Sequence, residues 1–325
     1  MKVFIPFCLF LLCFATSANA QTPFGPASSM GFGQIGVVAS GNNYQSAYFE
    51  NPALLARKKH EFDAFANYNN NANLTSVSSV IAGGMLSFGE NNAFGLGLSN
   101  LRLGGNGNTI FAITAIPLLY ARNLYQTDWA GVSVGANFNL TNHRLDGASS
   151  GFSSDVNTTG ISGGLGLDAY RILSLSDNQY LRFNIGASTN DLGQDIDDGN
   201  GYIVSVFDKT RLGTMISWKY MMNNMESINI NLAYQLATSF EAETAPNNHH
   251  IGLEGRYSLE EDNMYFALRV GAIWSNGAVG TEFQYTTLGG SVNLKGFYVD
   301  FGILPERLNG LNNVNFGAGY QKLLN

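Results

Sequence analysis

Val132-Ser133-Val134-Gly135-Ala136-Asn137-Phe138-Asn139-Leu140 alternates without a break: every second residue is apolar, and those between are small or polar. Side chains of an extended strand point by turns to opposite faces, so this stretch has one apolar face and one small, polar face. The pattern recurs. Leu181, Phe183, Ile185 and Ala187 alternate with Arg182, Asn184, Gly186 and Ser188. Ile228, Ile230, Leu232, Tyr234 and Leu236 alternate with Asn229, Asn231, Ala233 and Gln235, and Val314, Phe316, Ala318 and Tyr320 with Asn315, Gly317, Gly319 and Gln321. One such strand would suit a soluble sandwich. Many of them, each ~9–12 residues long, fit the tilted strand that crosses a bilayer.

Working outward from that stretch, fourteen strands are expected, at approximately 61–68, 76–88, 92–102, 110–122, 128–140, 159–170, 180–190, 210–220, 226–236, 248–258, 263–274, 284–294, 297–304 and 313–321. The odd gaps read as long, among them Thr141–Thr158 and Asp191–Lys209, and the even ones as mostly short, such as Gly89–Asn91, Leu259–Asp262 and Lys295–Gly296. Outer-membrane barrels have short periplasmic turns and long external loops. The expected fold is therefore all-β: a 14-stranded antiparallel transmembrane β-barrel over residues 61–325, with both termini periplasmic. A soluble array of β-sandwiches with an adhesive role is the rival class. It would show domain boundaries about every 100 residues, and none is visible.

Composition agrees. Charged residues are 13% of the 325-residue chain, about half the share of ~25% usual in soluble domains. Mean hydropathy is nevertheless near zero, and no stretch after the first twenty residues approaches the ~18 consecutive apolar residues of a helical span. Tyr120, Trp129, Tyr170, Tyr180, Trp218, Tyr220, Tyr257, Tyr265 and Tyr320 border the short gaps, as an interfacial aromatic belt would. Tyr170, Tyr180 and Tyr265 fall on the polar parity, so either their strands carry bulges or their rings point inward.

Residues 1–20 read as a secretory signal: Lys2, an apolar run from Val3 to Phe14, then Ala18-Asn19-Ala20 before the expected cut. Cys8 and Cys13 both lie there, so no thiol chemistry is expected in the exported chain. Removing Lys2 leaves 16 basic and 24 acidic residues, a net of −8, which argues against a nucleic-acid partner. Asp191, Asp195, Asp197, Asp198, Glu241 and Glu243 place much of that charge in loops. The expected location is the outer membrane, with its lipids as the primary partner.

If the apolar parity touches lipid, the polar parity faces the lumen. That sends Asp168, Arg182, Lys219, Glu254, Arg256, Arg269 and Asp300 inward. Arg269 falls on the strand after Glu254 and Arg256, so an ion network is expected, either as a rigid brace or as part of gating or ligand contact. Pro117 falls inside the fourth strand. Proline cannot donate to a ladder and a closed barrel has no edge to hide it, so it marks a kink or bulge, with or without an opening in the wall.

Residues 21–60 are rich in Gly, Ser and Ala and lack a clean period. They are too long for a tail and too polar for a core of their own, and a place inside the barrel as a plug suits them. The run Ser40-Gly41-Asn42-Asn43-Tyr44-Gln45-Ser46-Ala47-Tyr48-Phe49-Glu50-Asn51-Pro52-Ala53-Leu54-Leu55-Ala56 resembles the N-terminal luminal hatch of the FadL family. It is similar above all to the PorV/PorQ branch, with Asn51, Pro52 and Ala53 as the hatch motif. The stretch from Leu288 to Phe301 resembles the penultimate hairpin of the same proteins. The resemblance implies a fourteen-stranded barrel and one of two activities. PorV-like proteins are accessory barrels of type IX secretion, with secretion-machinery or secreted cargo proteins as partners. FadL-like proteins take up hydrophobic small molecules and release them sideways through the wall. A PorP/SprF type of secretion and gliding barrel is a further relative. The chain is short for a FadL transporter, which favours the PorV/PorQ side. The ending Leu323-Leu324-Asn325 departs from the usual barrel, since it lacks a final Phe or Tyr.

No catalytic constellation, metal site or cofactor is expected. Of the four histidines, His60 precedes the barrel, His143 lies in a loop, and His249 and His250 are adjacent on one strand and so point to opposite faces. Asp195, Asp197, Asp198 and Asn200 invite a calcium reading, but Gly199 stands where the EF-hand pattern needs its third ligand. A solvated acidic loop is the default there.

Overall fold

The computed structural model describes Val38 and residues 45–48, 50–57, 60–71, 76–89, 91–105, 108–145, 155–193, 196–197, 203–204, 209–238, 247–259, 264–276, 282–305 and 312–323. The expected signal segment, most of residues 21–44, and Asp195, Asp198, Asn200, Glu241 and Glu243 lie outside them.

The strands are β1 His60–Asn71, β2 Ser76–Phe88, β3 Asn92–Gly105, β4 Asn108–Gln126, β5 Ala130–Leu145, β6 Val156–Ser176, β7 Gln179–Gly193, β8 Ile196–Asp197, β9 Ile203–Val204, β10 Lys209–Met221, β11 Glu226–Thr238, β12 Asn247–Leu259, β13 Met264–Asn276, β14 Glu282–Leu294, β15 Phe297–Pro305 and β16 Asn312–Leu323. All but β8 and β9 form one closed antiparallel barrel of fourteen strands, each paired with its neighbours in sequence. β1 closes on β16, with Ala66 opposite Ala318 and Tyr68 opposite Phe316. The first residue of β1 and the last of β16 meet at the end that carries the short turns.

The alternation explains the wall. Leu96, Leu165 and Phe316 are at least half exposed on the outside, whereas Asn184, Asn293 and Asn315 are buried on the inside. This inverts the arrangement of a soluble protein and is the one a barrel in lipid requires. A closed ladder also leaves no strand edge unpaired, which hydrocarbon would not tolerate.

Three expectations change. The first and third gaps are not long: only residues 72–75 separate β1 from β2, and only residues 106–107 separate β3 from β4. The acidic stretch after β7 is not wholly loop, because β8 pairs with β9 in a separate two-stranded sheet. And β4, β5 and β6 run for 19, 16 and 21 residues, more than the ~9–11 that a tilted span needs. Register shifts at Leu103/Gly104, Asn123/Tyr125, Gly163/Leu165 and Ser174/Ser176 absorb breaks in the alternation along these long strands.

At the β14–β15 turn, Lys295 and Gly296 have φ of 52° and 93°, the two positive values that a two-residue hairpin of matching twist demands. Four aromatics lie directly across the ladder from glycines that they cover: Phe65 opposite Gly83, Tyr170 opposite Gly131, Phe301 opposite Gly290 and Tyr298 opposite Gly319. Each ring covers its glycine so closely that a Cβ there would collide with it. The ring fills the hole that a glycine leaves in a strand.

Candidate functional site

Inside the wall lies a short N-terminal segment. Its two 3-10 turns, Gln45–Tyr48 and Pro52–Ala56, are buried, and the second packs against β3, β4, β5 and β6. Asn51 caps the second turn. Its Oδ1 accepts from the Ala53 N–H at 3.1 Å, the Asn51 Nδ2 donates to the Leu167 carbonyl at 2.9 Å, and Pro52 occupies the first turn where no donor is needed. Asn51, Pro52 and Ala53 thus build the turn and tie it to β6.

The wall is shaped to receive it. Gly135 on β5 faces Gly166 on β6 across the ladder. A Cβ on Gly135 would overlap the Pro52 carbonyl group, and one on Gly166 would overlap Asn51 Oδ1. Around this gap, Arg57 forms an ion pair with the buried Asp168, its Nε donating to Oδ2 at 2.6 Å. The Glu50 carbonyl accepts from Ser188 Oγ and from Asn190 Nδ2, and the Glu50 carboxylate lies 3.7 Å from Arg211 on β10.

The other side of the segment is apolar. Ala47, Tyr48, Leu54, Leu55 and Ala56 cluster with Phe65, Ile81, Met85, Ala93, Leu119, Ala121 and Tyr298 of the wall. Tyr48 meets Phe65 edge-on with ring centroids 5.1 Å apart. Its hydroxyl donates to the Gly84 carbonyl, and burial pushes the phenol well above its ordinary pKa, so it stays a donor.

The expected ion network is present in the geometry. Glu254 and Arg269 are directly opposite each other on β12 and β13. Arg269 Nε donates to Glu254 at 2.6 Å, Arg256 lies 3.4 Å from Glu254, and Asn231 donates to it at 2.7 Å. Arg269 also lies 3.7 Å from Asp300 and bonds Ser291, which donates to Asp300. The Tyr298 hydroxyl donates to Asp63 at 3.0 Å, and Gln45 donates to Tyr298 at 3.1 Å and to Asp300 at 3.4 Å while accepting from Asn67 at 3.1 Å. Gln45 therefore joins the N-terminal segment to the same network. Buried charges persist when they are paired and hydrogen-bonded in this way.

Arg182 lies over the Tyr170 ring at 4.1 Å, and Arg256 over Tyr265 at 4.4 Å. The Tyr170 and Tyr265 rings therefore point inward. Lys219 is half-buried near the short-turn rim, across from Tyr180. Asp63, Tyr298, Gln45, Glu50 and Arg57 were not singled out from sequence. Asp63 and Tyr298 lie on the inward parity of their strands, and that was the available signal.

Pro117 produces neither bulge nor kink in register. β4 pairs with β5 continuously through Ile116–Leu140, Pro117–Asn139 and Leu118–Phe138. Toward β3 the pairing stops at Leu96–Leu118 and resumes at Ser99–Ala115 in the same register. The break faces β3 alone, as a missing N–H on that side would give. Pro117 points inward, and a Cβ on Gly97 opposite would touch both Pro117 and the Tyr48 ring.

Among the described residues, no group of three or more His, Cys, Asp or Glu side chains is placed to hold a metal ion. His143 belongs to β5 rather than to a loop, and it is buried. His249 stacks outward on Trp274, with centroids 5.4 Å apart, while its neighbour His250 is buried.

No family model matches the chain, and no curated protein sequence matches it. Solved structures do. The CymD monoaromatic hydrocarbon channel is similar at TM-score 0.52 and 12% identity, over 92% of this chain and 97% of that one. A deltaS2S3 mutant of the TodX monoaromatic hydrocarbon channel is similar at TM-score 0.50 and 12% identity, over 92% and 99%. A Pseudomonas aeruginosa FadL homologue also matches, at TM-score 0.48 and 13% identity, over 93% and 99%. The class is thus a closed fourteen-stranded antiparallel β-barrel, similar in fold to the CymD monoaromatic hydrocarbon channel.

Proposed function

We propose that the chain is an outer-membrane channel that takes up small hydrophobic molecules, with residues 45–57 as the hatch in its lumen. In this reading both termini face the periplasm, at the short-turn end. One observation carries it: the β3–β4 ladder is interrupted at Gly97–Leu98 and Ile116–Pro117, beside the hatch residue Tyr48. A wall with missing rungs next to an apolar hatch offers an apolar solute a lateral path from lumen to bilayer. The similar fold of two hydrocarbon channels supports the same reading.

Pro117→Val supplies a donor toward β3. In vesicles containing the reconstituted barrel, entry of a monoaromatic hydrocarbon is expected to slow several-fold while the barrel stays folded. Unchanged entry would remove the lateral path.

A PorV/PorQ-like accessory role in type IX secretion is the second reading. It is favoured by the hatch motif and by the lumen's chemistry: the hatch packs on an apolar cluster of the wall, while β12, β13 and β15 carry the buried charges Glu254, Arg269 and Asp300. Stoichiometric co-purification of secretion-machinery proteins, with no hydrocarbon entry, would put it first.

A further inference from the structure

The outside of β3–β6 changes chemistry in rows. Nearest mid-wall, Leu98, Ile116, Leu140 and Ile161 lie at one level, all exposed outward. Two residues further toward the long-loop end, Asn100 is opposite Thr114, Thr114 opposite Asn142, and Asn142 opposite Thr159. Two residues further again, Arg102 is opposite Ala112, Ala112 opposite Arg144, and Arg144 opposite Asn157. Successive rows on one face are about 6.7 Å apart along a strand. The wall therefore passes from hydrocarbon to amide and hydroxyl to guanidinium within about 13 Å.

The middle row is held by its own hydrogen bonds. Asn100 donates to Thr114 at 2.8 Å, Asn142 donates to Asn157 at 2.9 Å and to Thr159 at 3.2 Å, and Arg102 Nε donates to Asn100 at 2.8 Å. The two arginines are exposed, and neither has an ion-pair partner among the described residues. Their strands are two ladder spacings apart, about 9.6 Å, and only Ala112 stands between. Both guanidinium groups can converge on one anion. Of the described side chains, they are the outward-facing arginines of the long-loop half. The exposed Asp155 begins the next level out.

We propose that this face binds the phosphate head group of an anionic lipid in the leaflet on the long-loop side. The acyl chains lie on the leucine–isoleucine row, the ester or sugar region meets the Asn–Thr row, and the phosphate is clamped between Arg102 and Arg144. Guanidinium groups suit phosphate because they offer paired donors in a fixed plane. The order of the three rows matches the order of groups along such a lipid. The proposal rests on the barrel spanning a bilayer.

The test uses the full barrel in neutral detergent with equal amounts of dioleoylphosphatidylglycerol and dioleoylphosphatidylcholine, with bound lipid counted by native mass spectrometry. The wild type is expected to retain the phosphatidylglycerol, and Arg102→Gln/Arg144→Gln to lose at least about tenfold of that preference. Arg102→Lys/Arg144→Lys should keep part of it, since the charge remains and the paired geometry does not. Heat-modifiable migration on a gel shows that each variant is a folded barrel. A variant that keeps the preference in full, or a wild type that retains both lipids equally, overturns the proposal. A wild type that never enters vesicles overturns the membrane reading itself.

Discussion

At the residue scale, two glycines carry unusual weight. Gly135 and Gly166 face each other on β5 and β6, and together they leave the space that the Asn51–Ala53 backbone fills. A methyl group at Gly166 would displace Asn51 Oδ1 and with it the cap on the second turn. Gly166→Ala is therefore expected to loosen residues 45–57 without unfolding the wall. Planar-bilayer recordings should show a higher or noisier conductance than wild type, with heat-modifiable migration preserved. An unaltered conductance trace would mean that this segment does not limit the lumen. Arg57 and Asp168 support the same join, and a buried pair that loses one partner costs about 3–5 kcal/mol. That makes the segment's docking depend on few residues.

At the scale of the element, each strand satisfies two solvents. Its outer parity must be apolar and its inner parity may be small, polar or charged, so glycine is common on strands that would otherwise reject it. The price in packing is offset by the aromatic across the ladder. Gly131→Val should collide with the Tyr170 ring and lower the yield of folded barrel. Combining it with Tyr170→Ala should restore much of that yield, because the two residues share one space and their effects are not additive. Equal yields from the single and double variants would show that the ring does not occupy the glycine's space in the folded barrel. The same accounting explains β4. Pro117 costs the ladder rungs only on the β3 side, because its other neighbour is paired through β5 without interruption.

For the whole molecule, closure is the decisive property. β1 and β16 are the most distant strands in the chain, yet Ala66 and Ala318 lie opposite each other on the lipid-facing side. Paired residues in an antiparallel ladder have Cα atoms about 4.5–5.5 Å apart, within reach of a disulfide. The sequence has cysteine only at Cys8 and Cys13, so Ala66→Cys/Ala318→Cys gives a clean reporter. Oxidation of the folded variant should yield one intramolecular cross-link that joins two proteolytic fragments from opposite ends of the chain. If only intermolecular products form, the barrel is not closed as described.

The alternation in stretches such as Val132–Leu140 determined strand number, approximate bounds and facing by itself, because a period of two is a local property that each segment carries alone. It also placed Asp168, Glu254, Arg256, Arg269 and Asp300 on one parity, and Asn51-Pro52-Ala53 marked a turn. It misjudged the link between β3 and β4, and at Pro117 it expected a kink or bulge where the register is unbroken and rungs are lost toward β3 alone, because strand length and rung loss depend on the neighbour as much as on the segment. Which inward residues meet was decided only by the tertiary structure. Gln45 reaches Tyr298 and Asp300, Arg57 reaches Asp168, and Arg102 stands level with Arg144 across Ala112. Those partnerships depend on register and on closure, which sum over the whole ring of strands, and no local pattern carries that sum.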